Sequence, residues 1–267
     1  MKKKLTVRNL RNMKNNNEKI VMLTAYDATM AKLAEQATVD LILVGDSAGN
    51  AVMGFDSTIP VTMDMMVHHC SMVRRGAPNT FIVGDMPFLS CQTGSENAII
   101  NAGRLIQEAH CDCIKIEGAE HCKLINILVN AGIPVMGHLG LLPQRIKAEG
   151  GFFVAGRNEE VAEKLINDAK KLVEAGVCAI VIECVVDEVA KLLTENIDVP
   201  IIGIGSGVHC DGQVQVLNDV LGLDEEFLPK HAKRFTNLAS TIKEAISSYA
   251  SEVREEKFPT VENTFKK

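Results

Sequence analysis

The chain has 267 residues, with 28 Lys and Arg against 34 Asp and Glu, and 46% of it is hydrophobic although Trp is absent and Tyr occurs twice. Val, Ile, Leu, Ala and Met can fill the core of one large domain, and a net charge of −6 argues against nucleic acid or an anionic membrane surface as partner. No apolar run approaches transmembrane length, and the basic start Lys2-Lys3-Lys4 leads into a polar, Asn-rich stretch, so a soluble cytoplasmic protein is expected.

In chain order, a helix over about residues 6–13 precedes a strand over 19–24, and Ala28, Ala31 and Ala34 give the spacing of a second helix. A strand over 39–44 leads to Asp46, and 50–60 reads as loop. Thr62 starts a helix that Gly76-Ala77-Pro78 stops. The third strand, 80–84, reaches Asp85 and is followed by a helix over 95–109. The fourth reaches Glu117, and the helix over 120–131 is closed by Gly132. Pro134 opens the fifth strand, which leads to His138. Residues 141–154, with Gly150-Gly151-Phe152, read as a loop long enough to act as a lid. A helix over 159–175 ends at Gly176, strand six over 178–182 reaches Glu183, and a helix over 187–196 precedes strand seven at 199–204. Residues 220–227, with little β signal, are assigned to the eighth strand. Residues 236–255 form an amphipathic helix suited to pack on the barrel or on a neighbouring subunit. No linker interrupts this order, so the chain reads as a single (β/α)8 TIM barrel domain over 1–267, with an N-terminal helix and a C-terminal amphipathic helix.

Five short apolar runs end at Asp46, Asp85, Glu117, His138 and Glu183. Runs of this kind are buried parallel strands, and when helices separate them their C-terminal ends collect on one face. Asp46, Asp85 and Glu117 would there suit a hard divalent cation such as Mg²⁺, with Mn²⁺ as a substitute, unless each merely caps the next helix. Lys115 shares the strand face of Glu117. It could bind an anion or form a Schiff base, and nearby carboxylates favour the charged, anion-binding form. Glu183, apart from the other carboxylates, could remove a proton next to a carbonyl or serve a structural salt bridge. His138 could contact a substrate oxygen, act as an acid, or be a buried structural residue. Gly203, Gly205 and Gly207 resemble a phosphate loop but have no acidic partner at dinucleotide-binding distance, and tight backbone packing explains them as well. The eight cysteines include four beside histidines, which raises a zinc site. Their spacing lacks regular ligand pairs, and reduced thiols used as small apolar residues are the simpler account.

Thr24-Ala25-Tyr26-Asp27, Val44-Gly45-Asp46-Ser47, the 56–62 segment Asp-Ser-Thr-Ile-Pro-Val-Thr, Arg74-Arg75-Gly76-Ala77-Pro78, Asp85-Met86-Pro87-Phe88, Lys115-Ile116-Glu117-Gly118, Gly137-His138-Leu139-Gly140, Gly203-Ile204-Gly205 and Asp211-Gly212-Gln213 occur in this order. Together they resemble the ketopantoate hydroxymethyltransferase family over most of the chain, from about residue 20 to 235. The resemblance implies a Mg²⁺-dependent (β/α)8 barrel with one ion per subunit. It implies transfer of a one-carbon unit from 5,10-methylenetetrahydrofolate to 3-methyl-2-oxobutanoate through a Mg-stabilised enolate. It implies Asp46 and Asp85 as metal ligands with Glu117 in the metal's surroundings, and Asp46, Ser47, Asp85, Lys115 and His138 around the 2-oxo acid. Glu183 matches the proton acceptor, and a homodecamer of two pentameric rings is implied. The pattern departs from the family at Phe55, Leu142, Phe153, Ala155, Val186 and Ser206, which include lid positions but no proposed catalytic group. Three further readings use the same residues: another Mg²⁺-enolate barrel such as a carbon–carbon lyase or phosphonomutase, a Schiff-base aldolase using Lys115, and an inactive barrel kept for assembly.

Overall fold

Eight parallel strands close on themselves in a computed structural model that describes residues 4–267. They are β1 (Ile20–Thr24), β2 (Leu41–Val44), β3 (Phe81–Asp85), β4 (Cys113–Glu117), β5 (Val135–Gly140), β6 (Ala179–Glu183), β7 (Ile201–Ile204) and β8 (Gly212–Gln215). Each pairs with the next in chain order, and β8 returns to β1. The architecture is the TIM barrel that the alternation of runs predicts. Met1, Lys2 and Lys3 lie outside the described residues. Where the sequence reads as a single domain, the folded chain groups into two compact units, Met1–Val216, which holds every strand, and Leu217–Lys267.

Side chains alternate between the two faces of each strand, and here one face is the barrel lumen. Ile20, Met22, Leu41, Leu43, Phe81, Val83, Cys113, Met136, Ala179, Val181, Ile202, Ile204 and Val214 form one buried cluster inside it. Continuing the same alternation upward places Asp85, Lys115, Glu117, His138 and Glu183 on the lumen face, at the C-terminal ends of their strands. The other face packs against the helices through a second cluster that includes Ile42, Ile82, Ile114, Ile180, Ala98 and Leu172. The helices start where their caps dictate: Thr6, Asp27, Thr62 and Asn158 each accept a backbone N–H two or three residues into the following turn.

The helix Val7–Asn15 contributes one buried side chain, Leu10, to the lumen cluster. Lys14 fixes that helix in place, its ammonium reaching the Thr194 carbonyl at 2.8 Å and Asp211 at 2.7 Å. Asp211 also accepts from Ile201 N–H at 2.8 Å, so the same carboxylate registers β7.

Three expectations are corrected. The eighth strand is Gly212–Gln215, whereas the 220–227 segment assigned to it contains part of the helix Leu217–Leu221. Only Val214 points an apolar side chain inward, and Gln213 and Gln215 hide the strand from a hydrophobicity reading. Gly212 is required, because a Cβ there would fall 2.4 Å from the Ile20 carbonyl oxygen of β1. The 141–154 segment is not all loop: Pro143 starts a 3₁₀ turn, Pro143–Arg145, which runs into a helical turn, Ile146–Glu149, stopped at Gly150. The 50–60 loop begins inside a short helix, Ala48–Ala51.

In the second unit, helix Leu238–Arg254 buries no residue, and Ile242, Ile246, Tyr249 and Val253 leave an exposed apolar stripe along it. Truncating the plug of the barrel tests the lumen packing: Leu10→Ala is expected to lower unfolding stability by about 2–5 kcal/mol, read from urea denaturation midpoints.

Candidate active site

Asp85 and Lys115 are paired across β3 and β4, and Glu117 is paired with His138 across β4 and β5. Register therefore sets four of the candidate groups side by side. The Lys115 ammonium lies 3.0 Å from Asp85 Oδ2, 3.9 Å from Glu117 Oε1 and 3.3 Å from His138 Nδ1. His138 Nδ1 stands 3.4 Å from Glu117 Oε1, and its Nε2 stands 3.2 Å from Glu183 Oε2. Asp46, one residue beyond Gly45 at the end of β2, joins the group through its backbone N–H, which donates to Asp85 Oδ2 at 3.2 Å. The expected residues thus converge. Ser47 lies beside them with its hydroxyl 2.9 Å from the Tyr26 hydroxyl.

The helix-cap alternative does not describe these carboxylates. Asp85 Oδ2 faces Lys115 and Asp46 N–H, and Asp46 Oδ2 accepts from the Gln144 amide at 2.8 Å. Asp27 is a cap in that sense, accepting from Met30 N–H at 2.9 Å.

Asp46, Asp85, Lys115, Glu117 and His138 are all buried, whereas the Glu183 side chain keeps 17% of its surface open. Burial, together with Asp85 and Glu117 nearby, pushes the Asp46 carboxyl well above the usual carboxylate range. Burial also raises Asp85, against the opposing pull of Lys115. For Lys115 burial favours the neutral amine, but Asp85, Glu117 and Asp46 outweigh it and keep the ammonium charged. A Schiff base needs the neutral amine, so this environment favours anion binding. Glu117 is drawn down despite its burial by His138, Lys115 and the Gln144 N–H. Burial and Lys115 both push His138 down, and the carboxylates of Glu117 and Glu183 at its two nitrogens hold it above its ordinary value.

This set of donors fits a hard divalent cation. Asp85 Oδ1 is a buried carboxylate oxygen with no hydrogen-bond partner, and Asp85 and Glu117, both buried, share the single ammonium of Lys115. Among the described residues no group of three or more His, Cys, Asp or Glu side chains is arranged to hold a metal ion, so a cation here would rest on one or two carboxylates. Mg²⁺ needs only one or two carboxylates and completes its shell with water and substrate oxygens.

Sequence reasoning misses Gln144, which lies in the segment read as lid. Its amide donates to Asp46 and to the Met86 carbonyl at 3.0 Å, and its backbone N–H donates to Glu117 Oε2 at 3.2 Å. Pro143, which sets the turn, is the signal that could have found it. Ser206, a departure from the family pattern, braces the strand end that carries Glu183. Its hydroxyl donates to the Ile182 carbonyl at 3.0 Å and accepts from Val185 N–H at 3.2 Å. Gly203, within β7, and Gly207, after it, serve close packing: a Cβ on Gly207 would fall 1.6 Å from Asp187 Oδ1, and one on Gly203 would fall 2.7 Å from Cys210 Sγ. Cys70, Cys111, Cys113 and Cys210 are buried in the two apolar clusters, and His69 Nδ1 faces the Tyr26 carbonyl at 2.6 Å.

The family model for ketopantoate hydroxymethyltransferase matches residues 4–261. A 3-methyl-2-oxobutanoate hydroxymethyltransferase of Desulfotalea psychrophila is 54% identical over 254 residues, 95% of this chain and 91% of that protein. Proteins of the same name from Pseudothermotoga lettingae and Carboxydothermus hydrogenoformans are 52% and 49% identical, covering 92% and 98% of this chain and 94% and 95% of theirs. Among solved structures, phosphonopyruvate hydrolase in complex with oxalate and Mg²⁺ superposes with a TM-score of 0.62 at 13% identity, over 97% of this chain and 93% of that one. A 2,3-dimethylmalate lyase gives 0.58 at 14%, over 98% and 91%, so both share the fold.

His138 gives the site a pH signature in stability. Its folded pKa is raised, so the contribution of its ion pairs is complete below its ordinary value of about 6.5 and fades as pH rises through the higher folded value. The Tm difference between wild type and His138→Asn should therefore narrow steadily from pH 6 to pH 9.

Proposed function

The chain belongs to the ketopantoate hydroxymethyltransferase family, and on that premise we propose the reaction it carries out. It joins the methylene carbon of 5,10-methylenetetrahydrofolate to C3 of 3-methyl-2-oxobutanoate. With water it gives 2-dehydropantoate (ketopantoate) and tetrahydrofolate, for pantothenate and coenzyme A biosynthesis. The observation that carries this reading is the position of Glu183. It is a carboxylate at the open rim, 3.2 Å from His138, next to a buried group in which Lys115 pairs with Asp85 and the Asp46 carboxylate accepts from Gln144.

Asp46 and Asp85 would hold one Mg²⁺ per subunit, with Glu117 in its surroundings. When bound, the cation supplies Lewis-acid polarisation of the oxo acid, which stabilises charge developing on the keto oxygen. Lys115, charged and buried, attracts the substrate carboxylate, and Ser47, held by Tyr26, offers a hydroxyl beside it. Glu183 takes the C3 proton, with His138 Nε2 3.2 Å away. Water releases the one-carbon unit at the aldehyde level, its two hydrogens going to the two folate nitrogens that the methylene carbon leaves, and the electron pair left on C3 then forms the new carbon–carbon bond to that carbon while its C=O pair moves onto oxygen. His138, with Glu117 on its other nitrogen, can return a proton to oxygen at the end of the cycle. The exposed Phe152, Phe153 and Val154 provide an apolar edge for the pterin ring of the donor.

Eight free thiols suit work in the reducing cytoplasm, and among the described residues no helix is long and apolar enough to cross a membrane. The exposed apolar stripe on helix Leu238–Arg254 is consistent with assembly as a homo-oligomer, which the family resemblance puts at a decamer of two pentameric rings, and the net charge of −6 disfavours nucleic acid or an anionic membrane surface as partner.

Assay of ketopantoate formation from both substrates, with Mg²⁺ or excess chelator, tests the reading. Wild type should need the metal, and Glu183→Gln should lose on the order of 10²–10⁴ in kcat while still binding the oxo acid. A folded, metal-loaded enzyme that gives no product would refute the transferase reading. Turnover of 2-oxo acids without folate would instead favour a lyase or mutase on the same barrel.

A further inference from the structure

We infer that Gln144 is a positioning residue that fixes the spacing of the strand-end carboxylates and thereby tunes the site to a small divalent cation. The inference rests on the metal-dependent reading above and goes beyond it to a residue outside the expected ligand set.

Gln144 reaches three strands from the segment that follows β5. A primary amide has two N–H donors and both are used: one on Asp46 Oδ2 at 2.8 Å, past the end of β2, the other on the Met86 carbonyl at 3.0 Å, immediately after Asp85 of β3. Its backbone N–H adds Glu117 Oε2 at 3.2 Å, at the end of β4. The residue is 7% exposed, so water cannot readily replace these bonds. Without the amide, Asp46 loses its charge-assisted bond and its carboxylate is free to turn about the side chain.

That freedom matters more for one cation than for another. Mg²⁺ demands near-ideal octahedral contacts at about 2.0–2.1 Å, whereas Ca²⁺ accepts flexible shells at about 2.3–2.6 Å. A clamp that holds Asp46 to the backbone beside Asp85 stabilises the tighter of the two arrangements. Partners outside the ligand set commonly change metal affinity by about 10–100-fold when removed. The same clamp links the carboxylates to the turn Pro143–Arg145, so a change in the segment leading to Phe152 and Phe153 is felt at the cation.

The test is calorimetric titration of the metal-stripped full-length chain with Mg²⁺ and, separately, with Ca²⁺, without substrates. Gln144→Met keeps the length of the side chain and removes both donors. Gln144→Asn, an amide too short to span Asp46 and the Met86 carbonyl, is the second variant should the first not fold. Circular dichroism establishes that the variant tested is native. The expected result is a loss of about 10–100-fold in Mg²⁺ affinity with a clearly smaller loss for Ca²⁺. Mg²⁺ affinity within threefold of wild type, or equal losses for both ions, would overturn the assignment while leaving the metal-dependent reading intact. A wild-type chain that binds neither ion would overturn both.

Discussion

The structure depends on keeping carboxylates and one ammonium together out of water. Taking an ion out of water is expensive, and the penalty is met only when partners and hydrogen bonds are well placed. Lys115 compensates Asp85 directly and Glu117 at longer range, and His138 compensates Glu117. The Asp46 carboxylate accepts a hydrogen bond from Gln144 and feels Lys115 from farther off, and burial with Asp85 and Glu117 beside it still raises its pKa. A site with surplus buried negative charge is complete only when something positive enters it. On the proposed reading, that charge balance favours a cation beside Asp46 and Asp85 and, through Lys115, an anionic substrate.

A parallel barrel supports such a cluster because backbone register does the positioning. The Asp85–Lys115 and Glu117–His138 pairs are lateral neighbours in the sheet, so their approach costs little side-chain freedom. Gly140 lies opposite Glu183 in the same way, and a Cβ there, besides meeting a φ of +93°, would fall 2.2 Å from the Glu183 carbonyl oxygen. Beyond Glu183 the chain bends through Cys184, which adopts a φ of +50°, a conformation costly for a residue with a side chain. Two backbone bonds hold that bend, Cys184 N–H to the Ile204 carbonyl and Ala155 N–H to the Cys184 carbonyl, and the Ser206 hydroxyl secures both sides of it. Glu183 thus sits beside a strained corner that its neighbours over-determine.

Much of this was legible in the sequence, for a physical reason. A strand buried on both faces must be apolar, so a charged residue at its end stands out, and Asp46, Asp85, Glu117, His138 and Glu183 were found that way. Lys115 was found by strand parity with Glu117. Gln144 was not, because a neutral amide in a Pro- and Gly-flanked stretch looks like any surface loop until its partners are in place. The eighth strand escaped for a related reason: of its four residues, one is an obligatory glycine and two are glutamines, so backbone contact with Ile20 rather than hydrophobicity defines it. The lid read as irregular because single helical turns lack the length for a periodic signal. Register and partner identity are properties of the closed barrel, and no local pattern encodes them.

In the proposed reaction, the separation of Glu183 from the other carboxylates would let one lumen hold charge and move a proton. Inside the cluster, a carboxylate cannot act as a base without upsetting the balance that keeps Lys115 charged and Asp46 in place. At the rim, Glu183 is joined to the cluster only through His138, whose two nitrogens face carboxylates on opposite sides. A proton reaching Glu183 can be shared with that imidazole without entering the Asp46–Asp85 pair. Since His138 is held above its ordinary pKa by both carboxylates, protonating Glu183 weakens one of those two holds and makes the imidazole a better proton donor. On the proposed reading, removal of a proton by Glu183 would thereby favour delivery of one by His138, with Glu117 as the fixed charge that keeps the imidazole in line.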